Sequence, residues 1–441
     1  MTHDNRIIFH DEFKEQPYWW EAYNPLGYEG DALPNNSLVV IIGAGYAGLS
    51  AALELHRLGV DCCVLEKLNP GQGASTRSGG IVGASGSVKS PLLNAEVDES
   101  RFASLVGAAR EGFSMVDRLV REEGIDCQWS PNGLFIGAIA SQHRDGLSDR
   151  VNRLNHLVET EVSLVERSTQ GQYIGSDYYY GGLWSQESGH LHPACYYEGL
   201  LNACERRGIP ICAHTEVLDL EQSNHGWRLM TSQGEIRAEN VIVATNGYTG
   251  KVTPSFRRRV VPLKAYIIAT EVIDDHLAER INPRNCAVTE SARITAFYRL
   301  IDRPGSKRFV FGSRVKWSDI SAKQMAPLLY GLLLERYPEL AGIKVTHAWD
   351  GNVALTLDEQ LHNGKMEGLY YALGCNGSGV SNMTYLGTKV AQKLAFSLDC
   401  CSPFDTEFPE SMWYRGGKRW FIPIVGRYLQ WRDWFDRRES R

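Results

Sequence analysis

At 441 residues the chain exceeds one ordinary domain, and two domains with a full-sized core are expected. Its 46 basic and 52 acidic side chains leave a net charge of −6, which excludes the broad basic surface of a nucleic-acid binder. No run approaches the roughly 18 uninterrupted apolar residues of a membrane-spanning helix.

The opening MTHDNRIIFHDEFKEQ is polar and lacks the apolar core of a secretory leader. The ten cysteines include the adjacent pairs Cys62–Cys63 and Cys400–Cys401 and show no C-x-x-C spacing. Reduced thiols in a cytoplasmic protein are the expectation.

Residues 1–36 form an aromatic, proline-punctuated arm containing Pro17-Tyr-Trp-Trp-Glu. It is expected to pack along the body, with a site role the weaker of two readings. Residues 38–42 are a β-branched apolar run that reads as a buried strand. Gly43, Gly45 and Gly48 then open a helical stretch over 47–58, and a second strand over 60–65 ends on Glu66. Gly43 suits the tight turn, Gly45 the approach of a pyrophosphate, and Gly48 close helix–strand packing. The helix start offers free N–H groups to phosphate, while Glu66 can accept from ribose hydroxyls. With an acid about 20 residues beyond the glycines and a strand on either side, the pattern carries the dinucleotide-binding fingerprint.

The stretch 71–80 surrounds Arg77 with small residues, as a backbone loop wrapping phosphate would; a plain linker is the alternative. Helices are expected over 95–123 and 141–158, with strand-like residues at 127–137 between them. Tyr178, Tyr179, Tyr180 and Trp184 fit a pocket wall or a surface hairpin equally well. Gly189-His-Leu-His-Pro193 makes a weak metal motif, and a turn before a helix over 194–206 is the better reading. Strands follow at 209–220, 227–230 and 240–249, then at 260–273, 285–290, 296–300 and 308–313 in a mostly antiparallel pattern. A helix over 324–334 precedes the strand at 369–373, its glycine turn, and a last body helix from about Tyr385. Residues 411–441 hold eight basic and three acidic side chains among many rings. Tyr428, Trp431 and Phe435 share a helix face there, expected to pack on the body, with membrane-surface docking the lesser alternative.

PYWWE before the fingerprint, GASTRSGG after it, ATNGYT in mid-chain, and LTLDEQL followed by GCNGSGV span nearly the whole chain. In this order they resemble the D-amino-acid-oxidase superfamily of flavoproteins, above all the branch containing glycine oxidase and γ-glutamylputrescine oxidoreductase. The resemblance implies an α/β fold: a discontinuous Rossmann-type FAD-binding domain with a second α+β substrate domain on a mainly antiparallel sheet. Residues 37–93, 187–252 and 346–400 would form the first, 94–186 and 253–345 the second, and 401–441 a basic aromatic tail.

Carried over by position, FAD would be held by Gly43, Gly45, Gly48, Glu66, Ser75, Arg77, Ser78 and Gly79, then by Val217, Ala244 and Thr245. The turn of Gly374, Cys375, Asn376, Gly377, Ser378, Gly379 and Val380 would meet the flavin ring. The flanking Tyr46, Ala47, Lys67, Gly73, Ala74, Thr76, Gly80 and Asn246 belong to the same motifs. Ser378 and Leu361 replace a histidine and a proline common in the branch, and Gly351 stands where some relatives tether FAD through cysteine, so non-covalent FAD is implied. No metal is expected.

The implied reaction is oxidation of the C–N bond of an amine or amino acid, N-substituted glycines and ω-amino compounds included. Hydride would pass to flavin N5, the imine would hydrolyse, and O2 would be reduced to H2O2. Arg299 occupies the region where amino-acid-oxidising relatives bind a carboxylate, with Tyr298 as its partner; a surface strand arginine is the alternative. Lys264 is a candidate cation for the oxygen step or an ordinary strand-edge lysine. Two rival readings stay open. One is a dehydrogenase passing electrons to a quinone or carrier protein through the tail. The other is a non-catalytic flavin-binding protein.

Overall fold

Two sheets organise the molecule. In a computed structural model describing residues 8–84, 98–302, 305–314, 317, 319–400, 402–410, 414 and 419–440, the β-branched run becomes the strand Asn36–Ile42. Val39, Val40 and Ile41 are wholly buried, as a strand covered on both faces requires. Cys62–Leu65 and Gly234–Val243 flank it in parallel, and Ile211–Cys212 and Leu369–Leu373 extend the parallel set. Val217–Ser223, Gly226–Thr231 and Gly234–Val243 make an antiparallel meander at one edge. Helices Tyr46–Arg57 and Gly379–Phe396 press on each other at glycine: a Cβ on Gly387 would stand 2.2 Å from the Ala47 carbonyl oxygen. The last body helix starts at Gly379, not near Tyr385.

The second sheet has nine strands. Their spatial order is Phe9–Lys14, Val345–Leu355, Val261–Val272, Arg308–Ser313, Phe297–Ile301, Ala287–Glu290, Leu134–Gly137, Gly182–Ser185, Val162–Val165. Its pairs are antiparallel except at Phe9–Lys14 with Val345–Leu355 and Ala287–Glu290 with Leu134–Gly137. Tyr298, Phe309 and Phe311 stack on one face, in the core shared with helix Ala322–Arg336. On the other face Ile267 and Phe297 pack toward Trp19 and Ala194, between the sheets.

Several expectations change here. Residues 346–355, grouped by sequence with the FAD-binding segments, pair along Val261–Val272 in the nine-stranded sheet. The arm supplies that sheet's edge strand. Tyr179 and Trp184 are buried in the core of this sheet. Tyr179 donates to Glu290 (2.6 Å), which Arg336 grips at 2.7 and 3.0 Å. The expected helix over 95–123 runs Glu99–Glu122, and its first residues, like residues 85–93 of the first FAD-binding segment, lie outside the described ones. So do residues 1–7, Cys401, most of 411–418 and Arg441.

The tail is the main reversal. Helix Ile422–Glu439 does lie on the body, but not through its rings: Tyr428 is 53% exposed, Trp431 54% and Phe435 40%. Gly426, Asp433 and Asp436 are buried instead. Arg293 bonds Asp433 at 3.0 Å and Asp436 at 2.5 Å, and His143 reaches Asp436 at 3.1 Å. Ion pairs with Arg293, which follows the strand Ala287–Glu290, rather than ring burial, set the rotation of this helix.

Candidate active site

The strand Asn36–Ile42 ends at Gly43, whose φ of +106° is open to glycine at little cost. Gly48 is the tightest point. A Cβ there would lie 1.9 Å from the Gly43 carbonyl oxygen. Glu66, at the end of the neighbouring strand, accepts from the N–H groups of Ala44 (3.0 Å) and Leu68 (2.9 Å). Burial nonetheless pushes its carboxyl pKa up. Helix Tyr46–Arg57 starts from Gly45 with no side-chain cap, and helix Gly379–Phe396 starts from Ser378, also uncapped. Both helix starts line one cavity, so two positive dipole ends meet there, although the Tyr46 N–H is already taken by Ser75 Oγ at 3.2 Å.

The loop 71–80 is held by indoles from remote segments. Trp19 Nε1 donates to the Ser78 carbonyl (2.9 Å), Trp349 Nε1 to the Arg77 carbonyl (2.8 Å), and Trp20 Nε1 to Thr76 Oγ1 (2.8 Å). The Arg77 guanidinium stacks 4.6 Å over Trp20 and donates to the Gln72 and Asp350 carbonyls. The arm is therefore part of the site's support, the weaker of the two readings given to it. Across the cavity, Asn246 adopts φ +41° and its Oδ1 accepts from the N–H groups of Gly374 (3.0 Å) and Cys375 (3.3 Å). Asn376 in turn donates to the Gln360 and Gly374 carbonyls at 2.9 and 3.0 Å. Two asparagines thus fix the shape of the 374–380 turn.

The cavity measures about 1800 Å³, against the roughly 300–1,000 Å³ of an ordinary small-molecule pocket. It has room for a dinucleotide and a substrate together. It is lined by every residue expected to hold FAD except Gly48, Thr76 and Gly374, which sit behind it as packing and turn positions. From the fingerprint it continues to the underside of the nine-stranded sheet, past Ile267, Phe297, Arg293, Arg314, Trp317 and Asn352. The substrate-side residues carry no local motif; Arg314 follows the end of the strand Arg308–Ser313 on the alternation from Arg308, a pattern legible only once that strand's cavity-facing side is known.

The three expected catalytic side chains are not gathered there. Arg299 is buried and does not line the cavity. Its Nε donates to the Gly79 carbonyl (2.8 Å), Nη2 to the Leu191 carbonyl (2.7 Å) and Nη1 to the Leu300 carbonyl (3.1 Å). Burial lowers its pKa to about 9, and Trp19 lies 5.0 Å under the guanidinium. It clamps the 71–80 loop to the segment before helix Pro193–Arg206. Tyr298 points to the opposite face, its hydroxyl 2.8 Å from that of Tyr179. Lys264 pairs with Asp350 at 3.1 Å, while its neighbours Leu263 and Ala265 reach the cavity. Tyr178, Tyr179, Tyr180 and Trp184 line none of it. His192 caps helix Pro193–Arg206 by accepting from the Cys195 N–H at 3.2 Å, the turn read from the sequence.

The profile of the DAO family, described as FAD dependent oxidoreductase, matches residues 39–393. The chain belongs to that family. It is 30% identical over 364 residues to the probable oxidoreductase OrdL of Haemophilus influenzae, covering 81% of this chain and 82% of the relative. It is 29% identical over 363 residues to the gamma-glutamylputrescine oxidoreductase of Escherichia coli K12, covering 81% and 83%. Among solved structures, glycine oxidase from Geobacillus kaustophilus superposes with a TM-score of 0.70 at 18% identity, over 86% of this chain and all of the other. L-proline dehydrogenase from P. horikoshii gives 0.69 at 18% identity, over 86% and 96%. The fold is thus that of the DAO flavoenzymes, and the protein is an FAD-dependent oxidoreductase that holds its cofactor without a covalent bond. The uncapped helix starts, the half-buried Glu66 and the glycine-lined cavity fit that group.

Its clamp role gives Arg299 a distinctive expected phenotype. Arg299→Met should leave KM for any substrate within about twofold, yet loosen FAD. Three carbonyls, of Gly79, Leu191 and Leu300, lose a donor, at about 1–3 kcal/mol for each one left unsatisfied. Flavin retention on dialysis and the melting temperature of the holoenzyme are the readouts.

Proposed function

We propose that this DAO-family enzyme oxidises the C–N bond of an amine or amino acid that carries an anionic group, normally a carboxylate. One observation carries the reading. Arg314 Nε and Trp317 Nε1 are both buried donors with no hydrogen-bond partner among the described residues, and both residues line the substrate end of the cavity. Arg314 makes no ion pair among the described residues, and burial lowers its pKa. Arg314 Nη1 already donates to the Lys264 carbonyl, so the unpartnered Nε edge is what an acceptor brought by the substrate would meet, and a carboxylate suits it.

Bound FAD supplies the acceptor for the hydride of the carbon next to nitrogen. The chain's own residues do the rest. Arg314 and Trp317 would hold the substrate's anionic end, fixing its reach along the cavity. Phe297, Ile267 and Leu263 give it an apolar wall, which favours the uncharged amine that releases hydride. Asn246 and Asn376 fix the 374–380 turn, whose amides would hold the flavin. The imine then hydrolyses in water, and O2 accepts the electron pair as H2O2. The 374–380 turn, Glu66 and the 73–80 loop are the proposed FAD ligands, and the cavity's extent between the sheets supports a substrate domain built on the nine-stranded sheet.

A panel of amines and amino acids, mixed anaerobically with holoenzyme, tests this. Compounds with a carboxylate near the amine should bleach the flavin absorbance, and their uncharged analogues should do so at least tenfold less efficiently. Admitting air should restore the band with one peroxide per turnover. Bleaching by none of the panel would remove the reading. Recovery only on adding a quinone would move the acceptor from O2 to a lipid-soluble carrier, which the aromatic surface beside the cavity mouth favours as second choice.

A further inference from the structure

The helix Ile422–Glu439 is amphipathic with its apolar side outward. Ile424, Tyr428, Trp431 and Phe435 form one stripe at helical spacing, with ring centroids 6.3 Å apart from Tyr428 to Trp431 and 5.8 Å from Trp431 to Phe435. All are exposed, as are Trp420 before the helix and Trp434 beside the stripe. From Ile424 to Phe435, 11 steps along the helix, it runs about 16 Å, at roughly 1.5 Å per residue. Isolated apolar surface residues need no explanation, but a continuous ring stripe on one helix does.

Charge is sorted in the same helix. Asp433 and Asp436 are turned inward onto Arg293 and His143. Arg427, Arg432 and Arg438 flank the stripe, Arg432 donating to the Tyr428 hydroxyl (3.2 Å) and Arg438 lying 5.2 Å over Trp434. Outward, the helix therefore shows rings with polar tips between arginines, with Glu439 as the acid at its end.

We propose that this face docks on an anionic lipid surface, the helix lying flat at the headgroup level. Tryptophan and tyrosine place an apolar body and a polar edge where hydrocarbon meets water, and arginines beside them meet lipid phosphates. A second copy fits less well. In a two-fold dimer through this stripe the arginines of both copies would be brought together, with Glu439 at the helix end as the acid this face offers them. The docked orientation has a consequence for the site. Trp420, Ile424 and Val425 are exposed and also line the cavity, so its mouth would open at the bilayer boundary.

Flotation of the full-length holoenzyme with vesicles tests the proposal. Vesicles of phosphatidylglycerol and phosphatidylcholine should carry the protein, and pure phosphatidylcholine vesicles at least tenfold less of it. Trp431→Ser with Phe435→Ser, and separately Arg427→Gln with Arg432→Gln, should each cut partitioning at least tenfold, with flavin content and turnover of a soluble substrate unchanged. The tryptophan emission should shift to the blue on binding in the wild type and less in the ring variant. The proposal fails if the protein floats with neither vesicle, or if the variants float like the wild type. It fails equally if sedimentation velocity shows a dimer that the ring variant makes monomeric, which would give the face to a second copy. None of these outcomes bears on amine oxidation, which the anaerobic panel decides.

Discussion

Gly48→Ala is expected to yield protein without flavin and with little folded material at 37 °C. The added Cβ meets the Gly43 carbonyl oxygen at 1.9 Å, with Ile41 Cγ2 at 3.4 Å. The first contact is backbone on backbone, so no side chain can rotate to relieve it. Helix Tyr46–Arg57 would have to leave the sheet, and its other face is already fixed against Gly387. Overpacking of a core costs about 1–3 kcal/mol where neighbours can shift, and more is expected where they cannot. Gly45→Ala is the matched control. Its Cβ would meet only the Ser75 hydroxyl, at 3.2 Å, so the fold should persist while the approach of the pyrophosphate is blocked. Thermal melting and flavin content should thus separate the two: Gly48→Ala loses both, and Gly45→Ala loses flavin alone. Wild-type melting in Gly48→Ala would contradict the packing described here.

Arg314→Met should cut kcat/KM for a carboxylate-bearing substrate by roughly ten- to hundredfold, as removal of a hydrogen bond to a charged group costs about 1.5–3 kcal/mol. Amines lacking the anionic group should be affected less than about threefold. Arg299→Met should give the reverse profile, with weaker flavin binding and unchanged discrimination. Steady-state kinetics on a matched pair of substrates, with the flavin content of each variant measured, distinguishes these. An equal loss on both substrates would take the anion-binding role from Arg314.

The difference between those two arginines shows what the chain's letters can express. The fingerprint was legible because its requirements are local: glycines where backbone must approach backbone, a helix start beside them, an acid at the next strand end. The 374–380 turn was legible for the same reason, although its helix begins at Gly379, six residues before the expected Tyr385. Arg299 sits on the correct strand and on its inward face, but whether an inward arginine meets substrate or loop depends on how near Gly79 and Leu191 come, and those contacts span more than 100 residues. Arg314 gave no local sign at all. The tail misled for a related reason. Ring content argues for burial, yet Asp433 and Asp436 are claimed by Arg293, about 140 residues earlier, and that pairing turns the rings outward. Residues 346–355 group by sequence with the FAD-binding segments because adjacency in the chain says nothing about a partner at Val261–Val272.

Residues 76–78 owe their placement to indoles from two distant places, the arm and the strand Val345–Leu355. On heating, the short edge strand Phe9–Lys14, paired on one side only, is the natural first part to come loose. Yellow colour should therefore escape into the solvent several degrees before the far-ultraviolet dichroism collapses, and a scan following both signals would show two midpoints. A cell growing near that lower temperature would hold intact polypeptide that is catalytically dead, recoverable simply by cooling with fresh coenzyme.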